Sequence, residues 1–214
     1  MVKVLFTLIL FLYLVTGINA QGFNLPSKGV QVFNLKDSKS RNQATFYSEA
    51  RFENITGLTN DVFGEVSFDL KDVKSTLKGE ILVSTSSIKT GIENRDEHLR
   101  SVSWLNSEKY PTIIYKIKEV ERVDLIEDNQ IKIVLLGEFS LRGKTKLVYA
   151  SATIKYLLEN EVTKTLMPGN LISIVARFDL NLSDFGISNS MIPNRVSDNI
   201  QIVANLVGPE SKWF

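Results

Sequence analysis

The chain offers a single imidazole, His98, and no thiol, so a multi-histidine metal site, any thiolate site and a cysteine nucleophile are all excluded. A Ser-His-Asp relay would have to be assembled on His98 alone. Arg95, Asp96 and Arg100 stand beside it. In such a polar stretch the imidazole either bonds a backbone carbonyl or meets the polar head of a ligand. Gly143-Lys144-Thr145 imitates the end of a phosphate loop, but five residues separate Gly137 from Gly143. The phosphate-loop pattern needs about four, followed by a helix. A hairpin turn at Gly143-Lys144, with glycine supplying a positive φ, fits better. Asp179 and Asp184 are conceivable as a glycosidase couple, yet that chemistry depends on a spatial separation that chain spacing does not set. No nucleophile elbow, dinucleotide-binding glycine pattern or EF-hand loop is present, and no cofactor is implied.

The elements that must hold these residues have the rhythm of strands. Short alternating segments rich in Val, Ile, Phe and Thr are separated by Gly, Asn and Asp. Strands are expected at 30–34, 44–52, 64–70, 77–84, 112–119, 130–141, 147–157, 171–180 and 200–207. Glu65 to Asp69 and Ile200 to Leu206 alternate cleanly, as strands with one wet face do. Ile131 to Leu136 becomes apolar on both faces and calls for a cover on its outer side. One stretch breaks the rhythm. Thr90-Gly91-Ile92-Glu93 has capping-box spacing and introduces a short helix at about residues 93–102, in which Asp96 and Arg100 can pair. Leu99 and Val102 share a face of it, Trp104 and Leu105 follow, and Tyr110-Pro111 forces a stop. The helix is expected to lid one end of the molecule.

Composition narrows the function further. Lys3 followed by the apolar run Val4 to Val15, with Gly17-Ile18-Asn19-Ala20 before Gln21, has the layout of a cleaved export signal. The expectation is a signal peptide at 1–20 and one domain at 21–214, periplasmic or secreted, with no stable membrane insertion. With 25 Lys and Arg against 24 Asp and Glu, the net charge of +1 favours neither nucleic acid nor an anionic membrane. Without cysteine the core holds without disulfides. Phe46, Phe52, Phe68, Trp104, Tyr115, Phe139, Phe178 and Phe185 are spread over strands that surround one interior. In a barrel of about eight strands such side chains either fill that interior or line a ligand cavity.

Several stretches, in order, resemble the YceI family of secreted lipocalin-like polyisoprenoid-binding proteins. They are Ser87 to Gly91, Arg95-Asp96-Glu97-His98-Leu99-Arg100-Ser101, Trp104-Leu105-Asn106 and Tyr110-Pro111-Thr112-Ile113. Gly137 to Thr145, Phe178-Asp179-Leu180, Asp184 to Ile187 and Ser197 to Ile202 continue the likeness. Asn42 to Ala50 lacks a histidine that many members carry there. The resemblance implies an all-β fold, an antiparallel eight-stranded lipocalin-like barrel with a lipid-filled tunnel and the short helix near one end. The lining expected from it is Phe68, Val83, Ile113, Tyr115, Phe139, Ile174 and Phe178. Leu99 and Trp104 are expected as apolar gate residues, with Arg95 and His98 as head-group donors. The implied function is an exported carrier or store, not an enzyme, for an isoprenoid or similar long-chain lipid of the polyprenyl or quinone class. A homodimer is left open. Two other readings stand beside it: a ligand-free envelope interaction or stress-response module, and a lipid hydrolase or isomerase working through His98.

Overall fold

Alternation turns one face of each strand to water and the other inward, and a sheet whose strands all do this must curl around its apolar face. The computed structural model describes residues 21–37 and 39–211; the expected export signal at 1–20 lies outside them. The strands are β1 (Val30–Asn34), β2 (Gln43–Glu49), β3 (Asn54–Thr59), β4 (Val62–Asp69), β5 (Lys78–Ser84), β6 (Thr112–Glu127), β7 (Gln130–Leu141), β8 (Lys144–Leu157), β9 (Leu171–Asn181) and β10 (Asn199–Pro209). They form one antiparallel sheet in the order β1-β4-β5-β6-β7-β8-β9-β10-β2-β3. Its two edges are stitched back. Ser211 donates its N–H to the Val32 carbonyl at 2.7 Å, and Leu58 and Lys89 exchange backbone bonds of 2.8 and 2.9 Å.

The sheet is antiparallel and barrel-like as expected, but it has ten strands and not eight. The extended segment expected at 44–52 ends at Glu49, and a further strand, β3, follows. Gly57 masks β3 in the sequence, since glycine weakens a strand unless something covers it. Here the Phe46 ring lies directly over Gly57, where a Cβ would collide with it.

β6 is longer than expected, running to Glu127 instead of Glu119. Its register slips between Ile117 and Glu119 and again between Val120 and Arg122. Each bulge inserts a residue and resets the alternation, so Val120 and Val123 both point inward, 4% and 5% exposed, although three positions apart. The β7–β8 hairpin turns on Arg142-Gly143, both at positive φ (52° and 73°), with Leu141 pairing Lys144. The turn thus sits one residue before the expected Gly143-Lys144, in the arrangement that a two-residue hairpin favours.

Among the described residues the three α-helices are short: α1 (Val73–Thr76), α2 (Glu93–Arg100) and α3 (Glu161–Leu166). Among the described residues no helix is long and apolar enough to cross a membrane. α2 stops at Arg100, where Ser101 turns extended, so Val102 leaves the face it was expected to share with Leu99 and is 68% exposed. No capping box forms. Ile92 is the N-cap, and Thr90 instead donates its N–H (2.7 Å) and hydroxyl (2.6 Å) to Asp96 Oδ1. That draws the buried Asp96 to Thr90 and away from the expected pairing with Arg100. Among the described residues no element covers the outer side of β7. Val134 and Leu136 are half-buried there, flanked by Arg122 and by Glu119 and Tyr149 across the strands.

Two apolar clusters pack the interior. At one end Phe68 stacks between Phe33 and Phe23, with ring centroids 5.1 and 6.1 Å apart, and Tyr156 meets Phe33 edge-on at 6.2 Å. At the other end Phe139 and Phe185 meet edge-on at 5.5 Å beneath Leu182 and Ile187.

Candidate functional site

Between these clusters the inner face of the barrel encloses a cavity of about 1500 Å³ of atom-free space, counting its opening and the gaps between lining side chains. The wall comes from β2 through β10, with Leu99 of α2, Trp104 and Leu105 after it, and Val196 from the loop before β10. It is almost wholly carbon. The inward side chains of Ile81, Val83, Ile113, Tyr115, Phe178 and Ile202 are only half-buried, although their strands turn them away from bulk water. Inward-facing carbon that neighbours do not cover is what separates a lined interior from a filled one.

Tyr115 holds the one ionisable group of the lining. It stands on β6 opposite Phe139 of β7, and its ring lies across Gly137, the residue next along the inner face of β7. A Cβ at Gly137 would collide with that ring. Because there is none, the phenol lies along the wall and reaches β8, donating to the Val148 carbonyl at 3.0 Å. Burial pushes the hydroxyl well above the ordinary tyrosine range, so it stays a neutral donor. Phe178 packs 5.5 Å from both Tyr115 and Phe139, closing an aromatic corner around the cavity.

Of the residues singled out from the sequence, Val83, Leu99, Trp104, Ile113, Tyr115, Phe139, Ile174 and Phe178 come together on this wall. Phe68 does not. It shares the inward face of β4 with Val66, but β4 runs past the end of the cavity, and Phe68 is fully buried in the aromatic stack. Alternation predicts the face a residue turns to, not its depth along the barrel. Arg95 and His98 are also absent from the lining. His98 is exposed, one position and so about 100° around the helix from Leu99. Arg95 is half-buried and turns to Glu53, 3.9 Å away.

Sequence reasoning passed over Ala44, Ala152, Ala176 and Ala204, all of which line the cavity. Bulk marks the other lining residues in the sequence, and these matter because they lack it. Among the described residues no cluster of three His, Asp or Glu could hold a metal ion. Among the described residues no carboxylate or histidine stands on the wall, so the site can enclose an apolar molecule.

A curled antiparallel barrel around a carbon-lined chamber places the protein among the lipocalin-like β-barrels. The chain belongs to the YceI-like family, whose domain model matches residues 33–208. Similar curated proteins include UPF0312 proteins of Yersinia enterocolitica and Yersinia pestis, each 27% identical over 159 residues, which is 73% of this chain and 74% of the relative. Among solved structures, Burkholderia cenocepacia BcnA superposes with a TM-score of 0.62 at 13% identity, covering 80% of this chain and 99% of the other. The Campylobacter jejuni YceI protein does so at 0.59 and 21%, covering 77% and 90%. A polyisoprenoid binding domain from Saccharophagus degradans, implicated in plant cell wall breakdown, does so at 0.61 and 11%, covering 85% and 99%. At these identities the neighbours establish the shared fold.

Proposed function

We propose that the protein is an exported carrier or store that encloses the tail of a long isoprenoid-type lipid, of the polyprenyl or quinone class, in the barrel interior. It binds and does not catalyse. The observation that carries the reading is the half-buried, inward-facing carbon surface around the cavity, from Ile81 and Val83 across to Phe178 and Ile202. Each methylene-sized group that leaves water for such a wall contributes about 0.8 kcal/mol. Ordering a flexible tail offsets much of that gain, so fit to the wall decides affinity. The polyisoprenoid binding named for the Saccharophagus neighbour agrees in chemistry with this wall. The apolar run near the N-terminus supports export.

The test is organic extraction of protein purified natively without detergent, followed by lipid mass spectrometry. The expected result is an isoprenoid lipid in near-stoichiometric amount. A reproducibly lipid-free protein would leave the ligand-free module as the better reading and overturn this one. Val83→Arg, which sets an unpaired cation on the carbon wall, is expected to abolish lipid recovery. Circular dichroism reports whether its barrel still forms, and Phe178→Arg repeats the test on the facing wall. Cell fractionation tests export.

A further inference from the structure

The alanines of the wall are not scattered. Cross-strand register sets Ala152 of β8 opposite Ala176 of β9, Ala176 opposite Ala204 of β10, and Ala204 opposite Ala44 of β2. Four neighbouring strands thus contribute one unbroken row of the smallest side chain with a Cβ. The rows on either side are large on most of these strands. Toward the aromatic end β8, β9 and β10 present Ile154, Ile174 and Leu206 in register. Toward the α2 end β9, β10 and β2 present Phe178, Ile202 and Phe46, while β8 presents Ala150, so the recess extends one step further on that strand. Strands lie about 4.8 Å apart and like-facing residues about 6.7 Å apart along each. The row is therefore a recess about 14 Å around the barrel and about 7 Å tall, sunk between two bulky rims.

The opposite wall does not fill it. Ala44, Ala176 and Ala204 face inward yet remain only half-buried, while Ile154, Ile174 and Leu206 in the adjoining row are buried. Tyr115, the large side chain best able to reach across, is held along its own wall by Gly137 and the Val148 carbonyl.

We propose that this alanine row is the specificity determinant of the cavity, the place where a methyl-branched hydrocarbon chain is accepted in preference to a straight one. The inference rests on the lipid-holding reading and names what sets its selectivity. A straight polymethylene chain has a narrow, uniform cross-section, so it leaves part of the recess without contacts and forfeits dispersion there. The side methyls of an isoprenoid chain fill the recess. One methyl group more or less in a fitted apolar pocket changes preference by about tenfold or more.

Delipidated protein is titrated with geranylgeraniol and with the straight-chain alcohol of equal main-chain length. Wild type is expected to prefer the branched alcohol by about tenfold or more. Ala176→Leu and Ala204→Leu carry bulk into the recess and are expected to remove that preference while still binding the straight chain. The gentler Ala176→Val gives an intermediate ratio and carries the test if the leucine variants fold poorly. Val203→Leu, on the outer face of β10, leaves the ratio unchanged. Wild type that binds both alcohols equally, or folded leucine variants that keep its ratio, would overturn the role of the row alone. Wild type that binds neither would overturn the lipid-holding reading and this inference with it.

Discussion

Tyr115 and Gly137 form a pair whose coupling can be worked out in advance. Gly137→Ala puts a methyl where the Tyr115 ring now lies. The ring can yield only inward, toward the cavity, and the phenol then loses its bond to the Val148 carbonyl. Stranding a buried hydroxyl costs about 1–3 kcal/mol. Alanine in a strand interior regains about 0.5–1 kcal/mol over glycine. The net expectation is a loss of up to about 2.5 kcal/mol. With Tyr115→Leu already in place the collision and the stranded hydroxyl both vanish, and the same Gly137→Ala change becomes stabilising by about 0.5–1 kcal/mol. The sign reverses, and the coupling, in which the glycine-to-alanine gain cancels, is about 1–3 kcal/mol. Equilibrium urea unfolding of delipidated wild type, both single variants and the double variant measures it; delipidation matters because bound ligand adds its own stabilisation. Gly137→Ala should also reduce lipid capacity, since the displaced ring occupies the chamber. Coupling within about 0.5 kcal/mol of zero, the ordinary limit of additivity between independent sites, would refute the account of how the wall is kept clear.

Two further outcomes follow from groups at the periphery. Arg142, in the β7–β8 turn, donates to the Gly186 carbonyl at 2.8 Å and to the Val102 carbonyl at 2.9 Å, tying together the segment after α2 and the one after β9. Arg142→Ala is expected to speed lipid release several-fold in a stopped-flow transfer assay with little change in the lipid recovered at equilibrium; an unchanged release rate would show that these segments do not gate the cavity. Hydrogen bonds from the Arg41 side chain, at 2.8 and 2.9 Å, hold the Asp37 carboxyl well below the usual carboxylate range. A depressed carboxylate adds stability that is complete above its unfolded pKa of about 4 and is lost as pH falls toward its folded value. Stability should therefore decline on acidification below about pH 4, and Asp37→Asn should flatten that part of the curve; parallel acid-unfolding curves for the two proteins would contradict the assignment.

Much of this architecture was legible in the chain because alternation is a local property. Glu65 to Asp69 and Ile200 to Leu206 announce their faces residue by residue, and those faces are the ones observed, with Val66, Phe68, Ile200 and Leu206 turned inward and buried. What local reading misses is whatever a neighbouring strand supplies. Gly57 argues against a strand until the Phe46 ring covers it from β2. Val120 and Val123 look out of phase until bulges against β7 reset them. Asp96 has an ion-pair partner, Arg100, nearby in sequence, yet Thr90 takes it because the chain before α2 folds back alongside.

The cavity is the extreme case. No segment records that Ala44, Ala152, Ala176 and Ala204 fall in a single row, because their separations along the chain are unrelated and only the registers of three strand pairs align them. Seen singly, each is a small residue in a strand. An inventory of aromatic and branched side chains therefore locates the barrel's interior and cannot say whether it is full. The large residues that favour a packed core occupy the rims of the recess and the two ends, while the hollow is made by what they leave between them: a row of methyls on one wall and, on the other, a glycine that lets a tyrosine lie flat. A change of one register step would turn β9's alanine to the outer face and bring Val175 or Arg177 into the row. Strand register, which no stretch of sequence states by itself, is thus what makes this barrel hollow.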